Sequence, residues 1–121
     1  MDKLIFVATL KQKNLNHLWI EKGDIKVYRS KGLLAHLLKR KHFTAAKYID
    51  YLPDIVKSPD FAGISEGQIE LVKCFKDNIF ISIKLDSKKR TYYVATLYDV
   101  SYAKIDSYCR SGRLCRVTKK D

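Results

Sequence analysis

The chain has 121 residues, 46% apolar and 31% charged, a globular composition that excludes a disordered polar tail. Lys and Arg number 24 against 13 Asp and Glu, giving a net charge of +11. So large an excess in so short a chain implies an anionic partner: nucleic acid first, an acidic protein second, a membrane surface third. The cations are dispersed along the chain, which points to a folded basic surface instead of a disordered arm.

Residues 4–10 (LIFVATL) are apolar and β-rich. Their periodicity suits a buried strand or part of a helix, and we read a strand. Residues 11–16 read as a loop. Residues 17–20 (HLWI) and 25–28 (IKVY) are two short β-like pieces around a turn at 21–24, with Trp19 a core or rim aromatic and His17 on the surface. The stretch 30–42 (SKGLLAHLLKRKH) carries a helix signature. Ser30 is the expected N-cap. Leu33, Leu34, Leu37 and Leu38 share one core-facing arc, and His36 and Arg40 are neighbours off that arc, flanked by Lys39. Lys41 would fall on the leucine arc, so helical geometry is expected to end near Arg40 with His42 in the following turn.

A second helical pattern covers 44–57, with Thr44 as N-cap and Ile49, Leu52 and Val56 inward. Pro53 kinks this helix or restarts it in a new first turn. Residues 61–68, with Gly63 and Gly67, read as a loop. From Ile69 the period becomes 2. Residues 69–75, 79–86 and 92–100 then form a three-stranded antiparallel meander. Ile79, Ile81, Ile83 and Leu85 should face the core with Tyr93, Ala95 and Leu97. Ser82, Lys84, Thr96 and Tyr98 then form a polar set in mid-sheet. Ser101 caps a last helix, 102–110, with Ile105 and Cys109 inward and Gly112 as its stop. Residues 113–117 (RLCRV) read as a short final strand and 118–121 as tail.

The expected fold is a single α+β domain over 1–121: an N-terminal helical part packed on a small antiparallel meander, with a C-terminal helix. Cys74, Cys109 and Cys115 are odd in number and make no C-x-x-C, so neither a disulfide framework nor a zinc site is supported. The run 4–10 is too short for a membrane span and lacks a signal-peptide cleavage site. A cytoplasmic protein without a membrane partner is expected.

No glycine-rich phosphate loop, zinc-ligand spacing or G-x-S-x-G elbow is present, and no acidic pair suggests a two-metal centre. A nuclease on this chain is therefore expected to work without metal or cofactor. RNA permits this, because its own 2′-hydroxyl attacks the adjacent phosphate while the protein supplies a base, an acid and cations. Histidine, with an ordinary pKa of about 6.5, suits the proton transfer. The plain alternative for His36 is a solvated residue among cations that serve solubility. For His42 the direction depends on the turn. Lys84, Thr96 and Tyr98 either line an RNA groove, lie under a helix or stand in water.

The segments GDIKVYRSKGLLAHLLKRKH (23–42), IDYLPDIVKSPDFAGI (49–64), IELVKCFKDNIFISIKLD (69–86), YYVATLYDVSYAKI (92–105) and SGRL (111–114) resemble the phage branch of the barnase–EndoU–colicin–RelE-like nucleases. The resemblance runs from about residue 23 to 117 and leaves 1–22 outside. It implies a small α+β nuclease fold, cofactor-free RNase activity carried by phages or mobile elements, and toxin-like members held by an immunity or antitoxin protein. The family's helix motif His-x-x-x-Arg-His matches at His36 and Arg40. Lys41 takes the position of the second histidine, so either His42 supplies it after a local change of turn or the role is lost. The closing motif matches at Ser111 and Arg113, placing them near the phosphate.

The first reading is thus an endoribonuclease of the host bacterial cytoplasm, with His36, His42 and Arg40 catalytic. Lys39, Lys84, Thr96, Tyr98, Ser111 and Arg113 would contact RNA, and an acidic antitoxin or immunity protein is the expected second partner. Two rivals use the same surface. One is a catalytically silent nucleic-acid-binding module; the other is a phage protein acting on an acidic host protein.

Overall fold

The computed structural model describes residues 4–18 and 21–117, so the expectations for Trp19, Ile20 and 118–121 lie outside the described residues. Seven strands form one sheet: β1 (Leu4–Leu10), β2 (Ile25–Ser30), β3 (Phe61–Ser65), β4 (Gln68–Cys74), β5 (Asn78–Asp86), β6 (Thr91–Asp99) and β7 (Cys115–Arg116). Their order is β1-β2-β6-β5-β4-β3-β7. Every pairing is antiparallel except β2 with β6. The α+β class holds, but two paired strands precede the helices, so the expected helices-first order is corrected. The meander is the centre of a larger sheet, with β2 and β1 added beside β6 and β3 and β7 beside β4.

The helices are α1 (Leu33–Lys39), α2 (Phe43–Ala46), α3 (Leu52–Lys57) and α4 (Tyr102–Arg110). The pattern read as one helix over 44–57 is three pieces, because a 3-10 turn at Ile49–Tyr51 separates α2 from α3. Pro53 sits in the first turn of α3, where its missing N–H removes no helical bond. Residues 16–18 form a 3-10 turn, not the start of a strand. Ser30 closes β2 instead of capping α1; Gly32 takes the N-cap position, and the Ser30 hydroxyl accepts from the Gly32 amide at 3.0 Å.

The two faces of the sheet are covered unequally. On the first, Leu33 and Leu37 of α1, Ala45 and Ala46 of α2, and Leu52, Ile55 and Val56 of α3 pack on Ile79, Ile81, Ile83 and Leu97. Leu34 and Leu38 are exposed, since α1 meets the core along the Leu33–Leu37 line alone. Leu85 is exposed as well. On the second face α4 supplies Ile105, which packs with Val72, Phe80, Val100 and Leu114. Ser101 caps α4 as expected, its hydroxyl accepting from the Lys104 amide at 3.1 Å. Nine residues make α4 about 13 Å long, too short to cover this face.

Two backbone details place the site. The β5–β6 register shifts between Ser82↔Thr96 and Ile83↔Val94, leaving Ala95 as an extra residue. This bulge inverts the alternation, so Val94 is buried beside Leu97 and the expected inward Tyr93 and Ala95 are only half-buried. The second detail is Gly63. The segment expected as a loop is strand β3, joined to β4 through Glu66 and Gly67, both at positive φ. A Cβ on Gly63 would stand 1.8 Å from the Arg113 carbonyl oxygen, because the chain leaving α4 crosses β3 at this point. Gly63→Ala must displace that crossing; it should cost about 1–3 kcal/mol, read from the urea unfolding midpoint.

Candidate functional site

Four residues in register form a row across the second face: Gly63 on β3, Glu70 on β4, Ser82 on β5 and Thr96 on β6. Strand spacing puts the Glu70 and Thr96 backbones about 10 Å apart. The next row toward α4, Val72–Phe80–Tyr98, is partly roofed by that helix. On the other side of the Glu70 row Lys84 stands opposite Tyr93. Between the roof and that end lies a groove of about 220 Å³ lined by Gln68, Glu70, Ser82, Lys84, Thr96, Tyr98 and Arg113.

Glu70 is a buried acid in a central strand, its side chain 4% exposed, and such a group needs a hydrogen-bonded cation. Arg113 provides it: Nε donates to Oε1 and Nη2 to Oε2, both at 2.7 Å. The guanidinium also lies over the Tyr108 ring, 4.3 Å from its centroid. The bond to Glu70 raises the Arg113 pKa further, so this cation is permanent. Ser82 Oγ and Thr96 Oγ1 share a hydrogen bond at 2.6 Å on the groove floor. Tyr98 stacks on Phe80 with centroids 4.7 Å apart. Burial, and then the neighbouring Tyr108, push its phenol up to about 12, so it is a neutral donor at physiological pH.

At the other end of the groove β2 leaves β6 after the pair Tyr28↔Tyr93, and α1 begins in the gap. His36 lines the resulting hollow with Ser30, Gly32, Leu33, Lys84, Tyr93, Val94 and Ala95. Lys84 lines both depressions, so the groove and the His36 hollow meet at its side chain. Lys84, Thr96, Tyr98 and Arg113 thus share one groove, and His36 lines the hollow that adjoins it at Lys84.

Lys39, Arg40, His42 and Ser111 are exposed and do not line the groove. Helix α1 ends as expected, with Arg40 as C-cap. Lys41 is left-handed at φ 61, its amide donating to the Leu38 carbonyl at 3.1 Å and that of His42 to the Leu37 carbonyl at 2.9 Å. This is a Schellman turn, and it directs His42 away into the start of α2. The Ser111 hydroxyl donates to the Tyr108 carbonyl at 3.0 Å. Sequence reasoning missed Glu70 and Tyr108. A carboxylate inside the apolar run IELVKCF was the available signal for Glu70; Tyr108 had none.

The family model of the phage-Barnase-EndoU-ColicinE5/D-RelE like nuclease3 proteins matches residues 5–107. The chain belongs to this family. The match takes in β1, which lies outside the resemblance read from sequence, and stops before the closing Ser111–Leu114 motif. No curated protein and no solved structure matches the chain. Among the described residues, no helix is long and apolar enough to cross a membrane.

The raised Tyr98 pKa has a consequence for stability. The folded chain holds this proton more tightly than an unfolded chain, where tyrosine sits near 10.0. Its contribution is therefore complete below pH 10 and declines as pH rises from 10 toward 12. Tyr98→Phe should lose less stability than the parent between about pH 9 and about pH 11, measured by urea unfolding at each pH.

Proposed function

We propose that this chain is an endoribonuclease that works without metal, cutting RNA by transphosphorylation in a toxin-like, phage or mobile-element setting. The observation that carries the reading is the groove lined by the polar row Glu70–Ser82–Thr96 and flanked by the fixed Arg113 cation and by Lys84, in a member of a nuclease family. A phosphate seated above Ser82 and Thr96 would have Arg113 on one side and Lys84 on the other, with His36 in the hollow that Lys84 also lines.

In this reading a base removes the 2′-hydroxyl proton and the 2′-oxygen bonds to phosphorus. The P–O5′ bond then breaks, leaving a 2′,3′-cyclic phosphate, and the departing oxygen takes up a proton. His36 serves one of these two transfers. Arg113 and Lys84 hold the non-bridging oxygens as charge builds, and the Tyr98 phenol and Thr96 hydroxyl donate beside them. The Lys39, Arg40 and His42 end of α1 and the Ser111 end of α4 contact flanking parts of the strand. An acidic immunity or antitoxin protein would compete for the same basic surface.

Purified protein incubated with total RNA in EDTA should release fragments with 2′,3′-cyclic ends. His36→Ala should slow cutting by about 10²- to 10⁴-fold. Equal cutting by the variant removes His36 from the mechanism. Salt-sensitive RNA binding with no products replaces the enzyme by a binding module.

A further inference from the structure

Arg113 reaches the groove from a crossing segment, yet its guanidinium is held on several sides. A guanidinium has five N–H donors, one on Nε and two on each Nη. The Nε–H and one Nη2–H are taken by Glu70 at 2.7 Å each. That leaves both hydrogens of Nη1 and the second of Nη2, which together form a second two-pronged edge. The guanidinium carbon lies 4.3 Å from the Tyr108 ring centroid and 5.8 Å from that of Phe80. The Tyr108 carbonyl also accepts from the Arg113 amide at 2.9 Å and from the Leu114 amide at 3.2 Å, so Tyr108 fixes backbone and side chain together.

Exposure has a matching asymmetry. The Glu70 side chain is 4% exposed and that of Arg113 is 33%, so the carboxylate is sealed and water reaches the guanidinium. Both Glu70 oxygens are engaged at 2.7 Å, which fits the acid to hold the cation in place. The permanent charge, the ring beneath it and the buried fork remove most of the rotamer freedom that a phosphate would otherwise have to freeze.

We propose that Glu70 and Tyr108 are positioning residues that hold Arg113 with its Nη1/Nη2 edge toward the groove, forming a preorganised two-pronged site for the non-bridging oxygens of a phosphodiester. The proposal rests on the nuclease reading for its ligand but not for its test, because binding is measured without cleavage. Lysine at 113 would keep the charge and lose the fork.

The probe is a short 2′-deoxy oligonucleotide, which has no 2′-hydroxyl to attack, titrated by fluorescence anisotropy across a salt series. Arg113→Ala should weaken binding about 10- to 100-fold and lower the salt slope by about one. Tyr108→Leu should weaken it about 3- to 10-fold with the slope unchanged, since the charge remains but is no longer held. Tyr108→Phe, which keeps the ring, should restore the parent affinity. Glu70→Gln should weaken binding like Tyr108→Leu where circular dichroism shows it folded; Tyr108→Leu decides the matter where it does not.

The discriminating step is the double variant. If Tyr108 acts through Arg113, Tyr108→Leu costs nothing further in an Arg113→Ala background. An equal cost in both backgrounds, or no loss in a folded Tyr108→Leu, overturns the proposal. RNA cutting in EDTA alongside that result would leave the nuclease reading standing; the expected binding pattern without RNA cutting would do the reverse.

Discussion

A carboxylate placed in the middle of a central strand, with apolar neighbours on both sides, dictates much of what surrounds it. Glu70 is nearly sealed from water, and leaving its charge unpaired would cost several kcal/mol by the usual experience with broken buried pairs, about 3–5 kcal/mol. Arg113 answers it from the far end of the chain, 43 positions on. To do so the segment after α4 must cross β3, and it crosses where Gly63 has no side chain. The same segment then turns into β7, which pairs with Phe61 and Ala62. The pair therefore ties β4, β3, α4 and β7 into one arrangement.

That arrangement also explains why the second face is only partly roofed. Tyr108, near the end of α4, supplies the ring above which the guanidinium lies, so the helix sits over the Val72–Phe80–Tyr98 row. The buried Glu70 and Ser82 and the exposed Thr96 line the groove beside it. At the other end, the Ala95 bulge and the early departure of β2 from β6 open a gap in which α1 starts and His36 stands. A fixed cation thus lies in the groove and an imidazole in the hollow next to it, with Lys84 lining both. A strand of nucleic acid laid across β5 and β6 would meet a fixed cation, two hydroxyls, a second cation and an imidazole in turn.

Much of this was legible in the residues, and the failures have physical causes. The alternation of Ile79, Ile81 and Ile83 correctly gave a strand with one core face, and it put Ser82, Thr96 and Tyr98 on the other. The end of α1 near Arg40 followed from Lys41 falling on the leucine arc. Strand β3 was missed because glycine usually marks a loop, whereas Gly63 is present for the close passage of Arg113. The Ala95 bulge has no composition signal, so the inward set on β6 was displaced by one residue. β1 and β2 were read as strands, yet the parallel seam of β2 with β6, and so the seven-stranded sheet, depends on long-range pairing that local patterns do not encode. The place of Glu70 in the Ser82–Thr96 row follows from the β4–β5 register, which the local pattern does not encode.

We propose that the groove over Ser82 and Thr96, not the outer face of α1, receives the ligand. Backbone amide chemical shifts recorded during titration with a 2′-deoxy oligonucleotide test this most directly. The largest changes are expected at Glu70, Ser82, Lys84, Thr96, Tyr98 and Arg113, with smaller ones at His36 and none at Lys47 and Tyr51. Changes confined to the exposed end of α1 around Arg40 and His42, with the sheet residues silent, would contradict it.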